Sequence, residues 1–294
     1  MRITSAMISR FVNNAHNNAK QATYDPQVKI TTGRRIMMPS DDLPAANRIL
    51  DLDRALEELR GMERVRGMVR SDLEQADSMM GDTADLLTDA HTLAIQMSND
   101  SIGPDERADA ATRIQTMIDT IYSYANHQRA DGRYLFNGTD DQNPPYGEDA
   151  AGNKFFQGTN QNRTVELAPG MNITTTITAA ETFENSGVIA TLEAFQTALT
   201  NNDADGIRAA IDELDGQISD FGNMRGRIGH RLNALDDATD ISLDLELQYL
   251  SERSDLRDVD LAAEVTNLAM AENTLMAVLE TTKRFMAMNL KNFL

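Results

Sequence analysis

The four histidines, His16, His91, His127 and His230, are the first residues to test for chemistry, because an imidazole can act as a base or a metal ligand near neutral pH. They lie far apart, and none has a second ligand three or four residues away, so their spacing supplies no metal site. The acidic pairs Asp41-Asp42, Asp140-Asp141 and Asp236-Asp237 have the groups for acid–base work. Each sits in a polar, solvated stretch where helix capping and surface charge explain it. The run Gly222-Asn223-Met224-Arg225-Gly226-Arg227-Ile228-Gly229 has the glycine count of a phosphate loop, but no strand precedes it and an apolar stripe passes through it. Close helix packing or a turn accounts for it. Asn-x-Thr triplets at Asn137, Asn162 and Asn172 match glycosylation acceptors by type alone. The absence of cysteine excludes disulfides, thiolate zinc sites and thiol catalysis. No residue is therefore assigned to catalysis, to a cofactor or to a metal. The chain reads as a non-catalytic structural subunit.

The elements themselves carry more information. From Leu52, alternating steps of three and four pick out Ala55, Leu59, Met62, Arg66, Val69, Leu73, Ala76, Met80, Thr83, Leu87, Ala90, Ala94 and Met97, all apolar except Arg66 and Thr83. This heptad stripe predicts one helix of roughly 70 Å. It should stop in Ser98–Pro104, and a second stripe follows through Ala111, Ile114, Ile118, Ile121 and Ala125. The short loop implies an antiparallel partner. A third stripe runs through Ile207, Ile211, Leu214, Ile218, Phe221, Arg225, Ile228, Leu232 and Leu235. Between the stripes, residues 133–187 change to Asn, Gly, Pro and Thr clusters with short alternating stretches, which predicts a small β-rich insertion. Pro39-Ser40-Asp41-Asp42-Leu43-Pro44 reads as a helix start, with capping carboxylates and a proline tolerated in the first turn. The fold class is mainly α: a long antiparallel helical bundle or coiled coil formed by both chain ends, interrupted by that insertion. Its expected parts are a terminal arm domain (1–38 and 256–294), a helical rod (39–132 and 188–255) and the insertion (133–187).

The net charge of −19 repels phosphate and anionic lipid, so nucleic acid is excluded as a partner. The ends differ from the body, with Asp25 the only carboxylate among residues 1–38. Apolar residues recur at helical spacing in both arms: Ile3, Met7 and Phe11 in the first, Leu261, Leu268, Leu275, Leu279, Met286 and Leu290 in the last, with Leu294 closing the chain. Asn13, Asn14, Asn17 and Asn18 lower the intrinsic helicity of the first arm, so alone it is marginal. Apolar termini on an acidic protein need cover, either from each other or from neighbouring subunits. No apolar run is long enough to insert in a membrane, and residues 1–25 are too polar for the apolar core of a cleaved leader.

Ordered motifs then add a resemblance. Met1-Arg2-Ile3-Thr4, Thr32-Gly33-Arg34-Arg35-Ile36 and Pro39-Ser40-Asp41-Asp42, followed by Gly229-His230-Arg231-Leu232-Asn233-Ala234-Leu235, Arg257-Asp258-Val259-Asp260-Leu261-Ala262, Thr266-Asn267-Leu268 and Asn273-Thr274-Leu275, resemble the flagellin family. The compact insertion, with Gly132-Arg133-Tyr134-Leu135-Phe136-Asn137-Gly138 and Pro144-Pro145-Tyr146, looks most like that family's hook–filament junction branch. Leu43, where the family often has proline, and Met37-Met38, where smaller polar residues are common, depart from the pattern. The resemblance implies an extracellular subunit of the bacterial flagellum, with arms innermost, rod helices next and the insertion outward. It implies a ring of identical copies, with the first hook-associated protein on the proximal side and flagellin on the distal side. Passage through the flagellar type III export apparatus, without a cleaved signal peptide and with help from an export chaperone, is implied as well. Two rivals remain at this stage: flagellin itself, the bulk filament subunit, and a coiled-coil signalling module of the chemoreceptor type.

Overall fold

A computed structural model describes the backbone of residues 5–291 and the side chains of residue 7 and of residues 10–284. Six α-helices carry most of it: α1 (Ser5–Thr32), α2 (Leu43–Met97), α3 (Pro104–Ala125), α4 (Val188–Thr200), α5 (Ala204–Arg257) and α6 (Leu261–Lys291). The four strands are short: β1 (Tyr146–Glu148), β2 (Lys154–Phe156), β3 (Thr164–Ala168) and β4 (Met171–Thr174).

The chain forms two compact units. Unit 1 combines residues 1–58 with 245–294, and unit 2 is the continuous segment 59–244. In unit 2 the predicted stripes are the core. Leu73, Met80, Leu87, Ile114, Ile121, Leu214 and Phe221 are fully buried, because a heptad repeat keeps one side of each helix turned to its partners. Helix α3 starts cleanly, with Pro104 in its first turn and Asp105 and Glu106 against the helix dipole, and it packs along α4.

The expected β-rich insertion consists of two antiparallel hairpins. In β1–β2 Tyr146 pairs with Phe156 and Glu148 with Lys154, and in β3–β4 Thr164 pairs with Thr174 around a bulge at Glu166/Ala168. A single π-helical turn, Ala180–Glu184, follows. Aromatic edges anchor this segment. Phe136 meets Phe183 at 5.5 Å and Phe183 meets Phe221 of α5 at 6.1 Å, while Tyr146 lies between Tyr122 of α3 and Phe156.

The glycine-rich run needs a correction. It is neither a turn nor a close-packing device: α5 is continuous through it, and Gly222, Gly226 and Gly229 look onto open space. The acidic pairs need another, because Asp141 is buried rather than solvated. Capping does explain Asp41-Asp42: Asp42 accepts from the Ala45 amide at 3.1 Å at the start of α2, and Asp41 accepts from the Met37 and Met38 amides at 3.0 and 2.9 Å. Those two amides hold the Asp41 carboxyl below its ordinary range.

Candidate assembly surface

The family-type motifs of unit 1 converge although they lie far apart in sequence. Gly33 ends α1 in the left-handed region, at φ +69°, a conformation that glycine adopts without a Cβ penalty. Its carbonyl accepts from the Val259 amide at 3.0 Å, and the Arg35 amide donates to the Arg257 carbonyl at 2.7 Å. The Arg35 guanidinium adds two bonds to the Leu256 carbonyl, at 3.2 and 2.8 Å, and an ion pair with Asp42 at 3.4 Å. Ile36 is buried with Ala45 and Ala46, against Ile49 and Leu256. Across the turn, Asp258 accepts from the Ser254 hydroxyl at 2.7 Å, and that bond holds its carboxyl below the usual range. Asp260 caps α6 through the Ala262 and Ala263 amides, at 2.9 and 3.1 Å. The α1–α2 and α5–α6 turns are thus tied into one joint. Its local parts, a capping Asp or a bend Gly, are readable in sequence; their partners more than 200 positions away are not.

Beyond the joint, α1 packs along α6. The inward side of α1 runs through Ala15, Ala19, Thr23 and Pro26, and that of α6 through Glu264, Leu268, Ala271, Leu275 and Val278. Steps of three and four keep each set on one side of its helix. Lys29 and the buried Glu264 pair across the two helices at 3.4 Å. Most of these inward residues are small or only half-buried. The large apolar residues are left outside: Met7 is 62% exposed, Phe11 75%, Leu261 52% and Leu279 48%.

The residues assigned to the arms therefore divide. Leu268 and Leu275 are half-buried between the helices, whereas Met7, Phe11, Leu261 and Leu279 face outward. The backbone of Met286 and Leu290 is helical, and their side chains, with Ile3 and Leu294, lie outside the described residues. The pair thus leaves large apolar side chains on its outer side, where a monomer alone does not bury them. Val265, Met270 and Met276 of α6 are also exposed, with Met270 on the opposite flank of the helix from Leu261 and Leu279.

Other motif residues are structural or exposed. In unit 2, Arg231 donates to the Thr176 carbonyl at 2.7 Å, tying α5 to the segment after β4, and Leu232 packs on the core. Pro39, Ser40, Asn233, Val259 and Asn273 are not buried.

Sequence reasoning missed two polar contacts that hold the insertion. Arg66, a cation inside an apolar stripe, is buried and donates to the Leu167 carbonyl and to the Ser242 hydroxyl, the latter at 2.8 Å. Its position in the stripe was the available signal. Asp141 takes the Arg133 and Arg163 guanidiniums at 3.1 Å each, and Arg129 bridges from Asp72 at 2.6 Å to Asp141 at 3.6 Å. Burial works against the Asp141 charge, but the two hydrogen-bonded arginines outweigh it and hold its carboxyl low. For Asp72 burial wins and raises the pKa despite Arg129. These groups line a cavity of about 150 Å³ walled by Val65, Val69, Leu73 and Ile177. Each carboxylate there is paired with arginine, which makes the cluster a bracket between α2 and the insertion.

Comparison with known proteins agrees with this architecture. A family model described as the bacterial flagellin N-terminal helical region matches residues 3–141. Flagellar hook-associated protein 3 of Escherichia coli (strain K12) is 24% identical over 271 residues, covering 85% of this chain and 86% of that protein. The protein of the same name in Salmonella typhimurium (strain LT2) is 22% identical over an alignment of 312 positions, covering 99% of this chain and 98% of that one. In fold, the flagellar junction protein FlgL from Legionella pneumophila superposes with a TM-score of 0.56 at 12% identity, covering 64% of this chain and 99% of that chain. The chain is thus similar to bacterial flagellin over its N-terminal part and to hook-associated protein 3 over most of its length, and its paired terminal helices and compact insertion have the fold of the solved junction protein.

Proposed function

We propose that this chain is a structural subunit of the bacterial flagellum that joins the hook to the filament, with its terminal helices as the assembly surface. One observation carries the reading. The α1–α6 pair forms through Ala15, Ala19, Leu268 and Leu275, yet leaves Met7, Phe11, Leu261 and Leu279 in water. Burying a side chain of that size contributes about 1.5–3 kcal/mol, so neighbouring copies that cover the pair gain a large driving force. Relatives named hook-associated protein 3 support the junction role over bulk filament subunit. They are structural flagellar proteins, in keeping with a part that binds and spaces its neighbours rather than transforming a substrate.

In this reading the arms, residues 1–38 and 256–294, form the inner layer of a ring of copies. The rod (39–132 and 188–255) forms the next layer, and the insertion (133–187) faces outward. The first hook-associated protein lies on the proximal side and flagellin on the distal side. The subunit reaches its extracellular place through the type III export apparatus, with a chaperone holding its apolar C-terminal arm. The exposed apolar residues of that arm support its masking before export.

Removing residues 275–294 tests the proposal. The truncated chain should keep the helical signal and melting of unit 2 and lose incorporation between hook and filament; a truncated chain that still joins them refutes it. Deleting the gene separates a junction subunit from flagellin, because loss of the former leaves hooks without filaments and releases flagellin monomer into the medium.

A further inference from the structure

Sulfur in this chain is entirely thioether, with 16 methionines and no cysteine. The two units place it differently. Unit 2 buries Met80, Met117 and Met224, and Met68 is its one strongly exposed methionine among the described residues. In unit 1 every methionine with a described side chain is exposed: Met7, Met37, Met38, Met270 and Met276. Three of these, Met7 on α1 and Met270 and Met276 on α6, are among the apolar side chains that the α1–α6 pair leaves uncovered.

Thioether sulfur is soft and nucleophilic, and its oxidation follows exposure. We propose that Met7, Met270 and Met276 are sites of two-electron oxidation by hydrogen peroxide in the free subunit, and that sulfoxide at these positions blocks assembly; this rests on the assembly reading above. In the step, a sulfur lone pair attacks one peroxide oxygen. The S–O bond forms as the O–O bond breaks, the sulfur is oxidised by two electrons, and the other oxygen leaves as water. The product places a polar, hydrogen-bond-accepting oxygen among the apolar side chains that the pair leaves exposed, Phe11 on α1 and Leu261, Val265 and Leu279 on α6. Covering those side chains would then strand the oxygen without a donor, which opposes the burial that drives assembly. The same burial shields the thioethers of assembled subunits, so sensitivity is confined to the stage before incorporation. Met80, enclosed in the core of unit 2, reacts only after that core opens.

The test treats the full-length chain with hydrogen peroxide, maps sulfoxides by peptide mass spectrometry, and measures incorporation onto hook-bearing flagella from cells that lack this subunit. Met7, Met270 and Met276 are expected to oxidise at least about tenfold faster than Met80, Met117 and Met224, with loss of incorporation in step. The M7L/M270L/M276L variant, close in volume, should keep incorporation after the same treatment, and methionine sulfoxide reductases should restore the oxidised wild type. Oxidised wild type that incorporates normally, equal oxidation of buried and exposed methionines, or failure of the reductases to restore incorporation would overturn the proposal. An untreated chain that does not incorporate would overturn the assembly reading itself, and this proposal with it, before any oxidant is added.

Discussion

Replacing Gly33 by alanine isolates the joint between the two turns of unit 1. Gly33 sits at φ +69°, and a Cβ built there meets no heavy atom within 4 Å, so the cost of alanine is conformational rather than steric. A left-handed alanine costs about 1–2 kcal/mol. That strain falls on a residue whose amide donates to the Lys29 carbonyl at 2.8 Å and whose carbonyl accepts from Val259 at 3.0 Å. If the strain is relieved by opening the joint, the open population rises about 5- to 30-fold. Native-state amide exchange reads this directly at Val259 and at Arg35, whose amide donates to the Arg257 carbonyl. Gly67→Ala is the control, because Gly67 lies inside α2 with nothing near its added Cβ, and alanine there should stabilise by about 0.5–1 kcal/mol. Unchanged exchange at Val259 and Arg35 in Gly33→Ala, or a shift of the same sign in both variants, would refute the reasoning.

Other perturbations reach the rest of the molecule. Gly138→Ala should destabilise unit 2 by about 3 kcal/mol or more, seen as a lower melting temperature, because φ is +55° and the new Cβ would lie 2.2 Å from the Gln161 carbonyl oxygen. Phe183→Ala removes the middle ring of the Phe136–Phe183–Phe221 series and should cost about 3–5 kcal/mol in denaturant unfolding. Asp141→Asn should cost about 1–3 kcal/mol, less than a fully buried pair because Arg133 and Arg163 are partly solvated. The folded pKa of Asp141 is depressed, so its contribution is present above the unfolded carboxylate pKa and lost as pH falls through the folded value. The wild type should therefore lose more stability on acid titration than the variant. Amide exchange should also be faster in α1 and α6 than in residues 59–97 of α2, since small and half-buried contacts hold the arms while fully buried leucines and methionines hold the rod; equal protection would count against a surface completed by neighbours.

The long helices were legible because a heptad stripe is a local property. From Leu52 to Ala94 one side of α2 is apolar whatever it packs against, and the helix bounds at Leu43 and Met97 follow from Asp42 capping and the Ser98–Gly103 break. The insertion was legible as a change of texture, and its division into two hairpins was not, since strands of three to five residues carry little periodicity. The glycine-rich run misled for a related reason. Glycine lowers helix propensity by an amount that the packing of Phe221, Met224 and Ile228 overrides.

The arms divide what sequence determines from what only tertiary structure decides. Their helical spacing and apolar content are written in residues 1–38 and 256–294, and these suffice to predict two helices in need of cover. Which side of each helix is covered within the chain is a property of the pair. Helices α1 and α6 approach through alanines and half-buried leucines, where small side chains permit close contact, and this leaves Met7, Phe11, Leu261 and Leu279 facing water. The same holds for Arg35 with Leu256 and for Asp141 with its arginines: each residue is ordinary by type and local spacing, and acquires its role only when the fold brings a distant partner within hydrogen-bonding range.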